Sequence, residues 1–181
     1  QEQSSTLLVY YQTGQYVDAE KLSISITKEF PKHPFAWKVL GAILKQTNRI
    51  NESLIAGQKS VQLNPQDSAA HNNLGVMLQE LGRLDEAEAS FRQAITLKPD
   101  YAEAHFNLGN TLQKLRRLYE AEVSYTQAIT LKPDLTDAHN NLGNTLKELG
   151  RLDEAQASFR QAITLKPDLA EAHSNLGVML Q

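Results

Sequence analysis

The sequence predicts an all-α fold, a solenoid of antiparallel helix pairs, and three observations lead to this prediction. Five of the six prolines in the 181-residue chain recur at a constant step of 34 residues, and five glycines and four histidines keep the same step. Within each step, two stretches carry apolar residues at the three- and four-residue spacing of a helical face. The alternation typical of β-strands is absent. A repeat of this length indicates stacked supersecondary units.

The step divides the chain into a single array, residues 1–181, with five repeats and a sixth that holds only a first helix. The repeats span residues 1–33, 34–67, 68–101, 102–135, 136–169 and 170–181, numbered 1 to 6 in this order. In repeat 4 the first helix is expected to run to about Leu115 and the second to Lys132, with a polar break at Arg116 and Arg117. Because repeat 6 stops after one helix, we expect the chain to be a part of a longer array.

Charged residues mark the ends of the predicted helices. Acidic residues open the second helices, as Asp85 and Glu86 do in repeat 3, and lysines such as Lys132 close them, which is the order that the helix dipole favours. The proline after each of these lysines disfavours further helix. Asp100 followed by Glu103 forms an acidic version of the capping box, so we expect Asp100 to cap the first helix of repeat 4.

Repeats 3 to 5 also carry the same full series of large and small residues. In repeat 4 the series consists of Leu108, Gly109, Leu112, Ala121, Tyr125, Ala128 and Pro133. This pattern resembles the tetratricopeptide repeat, and the resemblance covers essentially the whole chain. It implies a right-handed superhelical solenoid that binds proteins or peptides and has its first helices along the concave surface. The small residues let two helices approach closely, and the aromatic residue fills the space between neighbours.

Repeats 1 and 2 depart from this series. Repeat 1 has Thr6 and Leu7 in the positions of the Leu-Gly pair. Repeat 2 has Gly57 in the position of the aromatic residue, which leaves a space that we expect Phe35 and Trp37 to help fill. A glycine inside a helix also costs about 0.5–1 kcal/mol relative to alanine. We therefore expect this half of the array to be its less stable part.

The composition excludes several classes of protein. The chain has no cysteine, so it can form no disulfide framework, thiolate metal cluster or cysteine nucleophile. No apolar run approaches the roughly 18 to 20 residues of a membrane span, so no membrane partner is predicted. Without cysteine or a visible signal peptide, a cytoplasmic or otherwise intracellular location is expected. Phosphate-binding loops, His-Glu-x-x-His and nucleophile-elbow motifs are absent, and we expect neither an enzyme nor a bound cofactor.

The four recurring histidines raise the question of a metal site. They are His71, His105, His139 and His173. Equivalent positions in stacked helices lie roughly 8–10 Å or more apart, whereas a zinc–nitrogen bond is about 2.0–2.1 Å long. The four imidazoles therefore cannot share one ion, and no metal is predicted. Because Trp37 occupies the same position in repeat 2, we expect the histidines to be packing residues.

Asparagine recurs on the first helices, away from their apolar face. The residues are Asn72, Asn73, Asn107, Asn110, Asn140, Asn141, Asn144 and Asn175. An amide group both donates and accepts hydrogen bonds, so a row of asparagines can pair with the backbone of an extended peptide without reading its sequence. The row resembles the asparagine ladder that holds the substrate polypeptide in the tetratricopeptide superhelix of O-linked N-acetylglucosamine transferases. The alternative is a solvated polar face, since asparagine is also common here in ordinary repeats of the family.

We predict that the chain is a protein or peptide interaction scaffold, and two alternatives stay open. One is the substrate-docking arm of a larger enzyme, a glycosyltransferase whose catalytic domain lies beyond Gln181. The other is a structural scaffold that self-associates through the open C-terminal helix of residues 170–181. The exposed apolar residues of that helix are expected to be Leu176, Val178, Met179 and Leu180.

Two other classes of partner are disfavoured. Nucleic acid requires an excess of Lys or Arg along the binding surface, but the net charge is −3 and the lysines of the predicted inner face are balanced by acidic residues. The carboxylate clamp that chaperone-binding members of the family use is incomplete, because Ala42 stands one turn after Lys38 where the clamp has asparagine. We therefore expect neither nucleic acid nor a chaperone tail as the partner.

Overall fold

The computed structural model describes residues 2–179, with side chains described as far as residue 178. The described residues form eleven α-helices and contain no strand, which confirms the predicted all-α fold. The chain divides into two compact units, an N-terminal unit, Gln1–Leu97, and a C-terminal unit, Lys98–Gln181. No helix among residues 2–179 combines the length and the apolar character that a membrane span requires.

Each unit is built from successive helix pairs. The N-terminal unit contains α1 (Glu2–Gln12), α2 (Tyr16–Glu29), α3 (Pro34–Gln46), α4 (Ile50–Leu63), α5 (Ser68–Glu80) and α6 (Leu84–Leu97). The C-terminal unit contains α7 (Ala102–Lys114), α8 (Leu118–Leu131), α9 (Thr136–Glu148), α10 (Leu152–Leu165) and α11 (Ala170–Met179). Within each unit, the second helix of a pair packs against the first helix of the same pair and, where another pair follows, against the first helix of that pair. The predicted repeats of two helices are therefore confirmed.

The turn inside each helix pair contains one residue with a left-handed backbone. Gly14, Gly82 and Gly150 have φ angles of 74°, 72° and 77°, and the equivalent positions in repeats 2 and 4 hold Asn48 and Arg116 at 60° and 62°. Glycine adopts this region without a steric penalty, whereas Arg116 does not. The polar break that the sequence places between the helices of repeat 4 is thus a tight turn at a fixed position of the repeat.

The small residues of the repeat allow an aromatic ring to lie directly on the first helix. Tyr125 is fully buried, and a β-carbon added to Gly109 would come within 2.6 Å of its ring. The same contact joins Phe91 to Gly75 and Phe159 to Gly143. Ala121 and Ala128, on either side of Tyr125 along α8, are fully buried as well. The predicted roles of the small residues and the aromatic residue are confirmed.

The prediction for the space in repeat 2 was wrong in its choice of residues. Met77 of repeat 3 fills the space, because its side chain lies 3.1 Å from a β-carbon built on Gly41 and 2.7 Å from one built on Gly57. Phe35 packs instead against the cluster that contains Leu7. Trp37 packs against the separate cluster of Leu40, Leu44 and Ala56. The filling group comes from the next repeat, since a flexible methionine can reach between two glycine-faced helices.

The predicted cap at Asp100 was also wrong. Helix α7 begins at Ala102, so the capping position belongs to Tyr101, whose side chain makes no capping hydrogen bond. The carbonyl of Asp100 instead accepts a hydrogen bond from the N–H of Ala102, within the turn before the helix. A side-chain cap does occur in repeat 3, where Asp67 accepts a hydrogen bond from the N–H of Ala70 at 3.0 Å.

Candidate functional site

The four recurring histidines have a structural partner. In each case Nε2 lies 2.8–2.9 Å from the carbonyl oxygen of the proline six residues earlier. In repeat 2, Trp37 Nε1 donates a hydrogen bond of 2.9 Å to the carbonyl of Pro31 in the same way. The predicted structural role is therefore confirmed, with a hydrogen bond as its main feature. Within residues 2–178, no group of three or more His, Asp or Glu side chains is placed to hold a metal ion.

One serine and one histidine come together without forming a nucleophile and its base. Ser4 Oγ lies 3.3 Å from His33 Nε2, in a surface cleft near the start of α1. The other ring nitrogen, His33 Nδ1, accepts a hydrogen bond from the N–H of Ala36. This bond places the proton of a neutral imidazole on Nε2, which then cannot accept a proton from Ser4. The pair therefore caps α3 and does not constitute a catalytic site.

Four of the predicted asparagines form hydrogen-bonded pairs between the first helices of the C-terminal unit. Asn141 Nδ2 donates to Asn110 Oδ1 at 2.8 Å, which joins α9 to α7. One repeat later, Asn175 Nδ2 donates to Asn144 Oδ1 at 2.9 Å, which joins α11 to α9. All four side chains are partly exposed. We call the surface formed by Asn110, Asn141, Asn144 and Asn175 the amide face.

A buried hydroxyl lies behind the amide face. The Tyr125 hydroxyl donates to Asn110 Oδ1 at 2.8 Å and also lies 3.0 Å from Gln113 Oε1. Burial raises the pKa of this hydroxyl, so it stays protonated and remains a donor at neutral pH. The sequence marked Tyr125 only as the aromatic residue of repeat 4. The signal for its hydroxyl was the tyrosine itself, since repeats 3 and 5 have Phe91 and Phe159 at this position.

The other predicted asparagines occupy different surroundings. Asn72 and Asn140 are only 1% and 4% exposed, so their side chains do not form part of an accessible surface. Asn140 Nδ2 lies 3.5 Å from Asn141 Oδ1, and its own Oδ1 has no hydrogen-bond partner among the described residues. Asn73, in the N-terminal unit, and Asn107, beside the amide face on α7, are partly exposed. The structure thus joins four of the eight asparagines into one surface.

Several charged side chains near the first helices are paired. In the C-terminal unit, Lys147 Nζ donates to Asn175 Oδ1 at 3.1 Å, and Asn144 Nδ2 donates to Glu171 Oε1 at 3.3 Å. In the N-terminal unit, Lys38 pairs with Asp67 at 2.6 Å. Lys45 and Glu80 form a second pair in that unit at 3.2 Å. Carboxylates thus neutralise Lys38 and Lys45, whereas Lys147 is hydrogen-bonded to a neutral amide oxygen.

Comparisons of sequence identify the repeat. A TPR repeat profile matches residues 77–115 and 143–181. One tetratricopeptide repeat profile matches residues 102–135, and a second matches residues 56–89 and 124–157. Together the matches run without interruption from residue 56 to residue 181. No curated protein matches the chain significantly.

Comparisons of structure show the same fold. MamA matches with a TM-score of 0.80 and 22% identity, over 90% of this chain and 95% of that chain. YrrB, described as a TPR protein with an unusual peptide-binding site, matches with a TM-score of 0.80 and 19% identity, over 95% and 89%. A thermophilic TPR protein of Thermus thermophilus, TTC0263, matches with a TM-score of 0.72 and 25% identity, over 99% and 98%.

Proposed function

The chain belongs to the tetratricopeptide repeat family, and from this premise we propose that it is a protein-interaction scaffold whose amide face holds an extended polypeptide. The fold supports a protein or peptide as the partner, and a peptide-binding site is described for YrrB, which has the same fold. The paired asparagines of the C-terminal unit are the observation that carries the finer proposal. No catalytic role is part of it.

The hydrogen-bonding capacity of the amide face favours a peptide backbone. An asparagine side chain has two N–H groups and two acceptor lone pairs. The bond from Asn141 to Asn110 uses one N–H and one lone pair, and the bond from Asn175 to Asn144 does the same. When the further bonds from Tyr125, Asn140 and Lys147 and the bond to Glu171 are counted as well, each pair still keeps at least two N–H groups and one lone pair for a ligand. An extended backbone presents both kinds of group in turn along its length.

The charge pattern supports a polypeptide over a nucleic acid. Phosphate recognition depends on lysines and arginines that are available to neutralise the backbone. Lys147 is bonded to Asn175, and Arg116 is paired with Glu148 at the neighbouring turn. Both cations already have hydrogen-bond partners, and the four asparagines between them offer neutral amides as recognition groups. Amides read the backbone and leave the side chains of the ligand unread, so many sequences should bind.

The proposal is tested by removing the donors of the two pairs, with the double variant Asn141→Ala and Asn175→Ala. The probe is a fluorescein-labelled pool of random dodecapeptides, and binding is followed by fluorescence anisotropy. We expect the double variant to lose at least tenfold in affinity. Ala162→Gly is the matched control, because Ala162 is fully buried in α10 and its loss destabilises the same unit without touching the amide face.

A second comparison separates backbone recognition from side-chain recognition. A pool of the same composition, with a methyl group on every second backbone nitrogen, lacks half of its N–H donors. If asparagine oxygens accept hydrogen bonds from those donors, this pool binds more weakly than the unmodified pool. Equal binding of both pools to the wild-type chain, or equal binding of the dodecapeptides to the wild type and the double variant, would contradict the proposal.

Self-association through α11 is a second candidate function, favoured by one observation. A β-carbon built on Gly177 meets no atom within 4 Å, whereas the equivalent positions of repeats 3 to 5 lie against an aromatic ring. Val178 is 69% exposed, while Leu176 is partly buried in the cluster that contains Phe159. The side chains of Met179 and Leu180 lie outside the described residues. Sedimentation velocity of the wild type and of Val178→Lys tests this candidate, which requires a concentration-dependent dimer that the variant loses.

A further inference from the structure

A chain of hydrogen bonds leads from the core of repeat 4 to the amide face. Tyr125 is fully buried on α8, with its ring against Gly109 of α7. Its hydroxyl lies 2.8 Å from Asn110 Oδ1 and 3.0 Å from Gln113 Oε1, and its single proton goes to Asn110, the shorter contact. The Asn110 oxygen also accepts the bond from Asn141 Nδ2 at 2.8 Å. Both lone pairs of the Asn110 oxygen are therefore engaged by donors from two different helices.

Two donors on one oxygen fix the orientation of the whole amide group. The Asn110 amide is planar, so its nitrogen must lie on the side away from Tyr125 and Asn141. Among the described residues, Asn110 Nδ2 donates no hydrogen bond, and the side chain is partly exposed. Without the hydroxyl, rotation of the amide by 180° would exchange its nitrogen and oxygen at a lower cost.

We infer that Tyr125 is a positioning residue for peptide recognition, whose hydroxyl holds Asn110 with its N–H groups directed to the carbonyl oxygens of a bound polypeptide. This inference rests on the proposed function, because it assigns a role at the same surface. The physical basis is preorganisation: a donor that is already oriented loses less conformational freedom when the ligand binds. Tyr125 itself does not contact the peptide.

The other repeats provide internal comparisons. In repeat 5 the aromatic residue is Phe159, which has no hydroxyl, and there Asn144 Nδ2 is bonded to Glu171 at 3.3 Å. In repeat 3 the aromatic residue is Phe91, and Val76 stands at the position of Asn110. The hydroxyl is thus present in repeat 4, where only Tyr125 and Asn141 hold the orientation of the Asn110 amide. Phe91 and Phe159 are as fully buried as Tyr125, so phenylalanine fits this environment.

The test uses Tyr125→Phe, which removes the hydroxyl and keeps the ring. Loss of one positioning hydrogen bond should weaken binding of the labelled dodecapeptide pool about threefold to tenfold. Phe159→Tyr, introduced into the Tyr125→Phe chain, places a hydroxyl beside Asn144, which is already bonded to Glu171, and should therefore leave the lost affinity unrestored. Ala162→Gly again provides the control for a loss of stability without a change at the amide face.

Side-chain amide signals in nitrogen–proton NMR spectra give a second readout. If Tyr125 only stabilised the fold, its replacement would not shift the signals of the amide face selectively. We expect Tyr125→Phe to shift the signals of Asn110 and Asn141 and to leave those of Asn73, in the other unit, unchanged. Unchanged signals, or a loss of affinity equal to that of an equally destabilised Ala162→Gly chain, would overturn the positioning role.

The outcomes for the two proposals are distinguishable. If Tyr125→Phe binds the pool as tightly as the wild type while Asn141→Ala with Asn175→Ala loses binding, the positioning role is wrong and the proposed function stands. If the double variant also binds as tightly as the wild type, the proposed function is wrong, and the role of Tyr125 in it is wrong as well. Weakened binding by both, without restoration by Phe159→Tyr, supports both.

Discussion

Nε2 of His139 lies 2.9 Å from the carbonyl oxygen of Pro133, and this hydrogen bond closes the turn between α8 and α9. The same bond recurs at the other histidines of the 34-residue step, and Trp37 makes it to Pro31 in repeat 2. Imidazole and indole share only a planar ring with an N–H group at this place. The position therefore requires a ring that donates to the proline carbonyl, and repeats with either ring satisfy it.

Removing the N–H donor of His139 should lower the stability of the fold, whereas a replacement ring that keeps an N–H group should not. We expect His139→Phe, which keeps a ring and loses the donor, to reduce the free energy of unfolding by about 0.5–1.5 kcal/mol. His139→Trp is the matched control, because Trp37 shows that an indole makes the bond. Urea denaturation followed by circular dichroism measures the difference. Equal stability of the phenylalanine and tryptophan variants would show that the hydrogen bond contributes nothing.

Replacement by alanine should affect stability differently at two glycines of the 34-residue step. A β-carbon on Gly109 would lie 2.6 Å from the Tyr125 ring, so Gly109→Ala forces the ring or the helix to move and should cost about 1–3 kcal/mol. A β-carbon on Gly177 meets nothing within 4 Å, and Gly177→Ala should be neutral or stabilise α11 by up to about 1 kcal/mol. Thermal unfolding of both variants measures the effects. A comparable loss in the two variants would mean that the aromatic contact does not set the requirement for glycine.

The features predicted correctly from the sequence are those that recur from repeat to repeat. The step of 34 residues and the spacing of apolar residues determined the helix pairs. The small and aromatic residues of repeats 3 to 5 predicted a close helix contact filled by a ring, and the contact of Gly109 with Tyr125 is of this kind. Such contacts lie within one helix pair, where the separation along the chain fixes which faces meet. They could therefore be derived without knowing how successive repeats are placed.

The features that were missed depend on distances between repeats or on a shift of one residue. Met77 reaches Gly57 from the following repeat, and no pattern within repeat 2 indicates that residue. Asp100 lies one position before the capping position of α7, which Tyr101 occupies without a capping hydrogen bond. The asparagine row was visible in the sequence. Its division into bonded pairs such as Asn110 with Asn141 was not, since it depends on side-chain geometry.

In repeat 2, Met77 occupies the space that an aromatic side chain fills in the later repeats. A double-mutant cycle can test this replacement. Repeat 4 has Tyr125 at the position of Gly57, and repeat 5 then has Thr145 at the position of Met77. Gly57→Phe alone places a ring where Met77 already lies, and Met77→Thr alone leaves a cavity, so each single variant should lose about 1–3 kcal/mol. The double variant reproduces the arrangement of the later repeats and should recover most of the loss.

The coupling is obtained from urea denaturation of the wild type, the two single variants and the double variant. Additive effects of the two substitutions, within about 0.5 kcal/mol, would show that Gly57 and Met77 do not share one space. The Gly57→Phe, Met77→Thr chain also tests the expectation that repeat 2 is less stable than the later repeats. Hydrogen exchange in α4 should slow when the aromatic residue is present.

Asp67 should make the N-terminal unit sensitive to acid. Burial opposes its ionisation, but the hydrogen bonds from Lys38 and from the N–H of Ala70 outweigh burial and hold the pKa of Asp67 below its ordinary value. A carboxyl group whose pKa is lowered in the folded state stabilises that state above the pKa of the unfolded chain, about 3.9. This contribution is lost as the pH falls from about 4 through the folded-state pKa. We therefore expect the free energy of unfolding to decrease when the pH is lowered below about 4.

Two substitutions separate the roles of Asp67 as a cap and as a partner of Lys38. Serine can accept the hydrogen bond from Ala70 but carries no charge, so Asp67→Ser should lose only the ion pair, about 0.2–1 kcal/mol at neutral pH. Alanine loses the cap as well, and Asp67→Ala should cost about 0.5–2 kcal/mol more. Other carboxylates titrate in the same range, so the relevant quantity is the difference between the wild type and Asp67→Ser at each pH. That difference should shrink toward zero as the pH is lowered from about 5 to about 2; if it stays constant, the ionised state of Asp67 does not stabilise the fold.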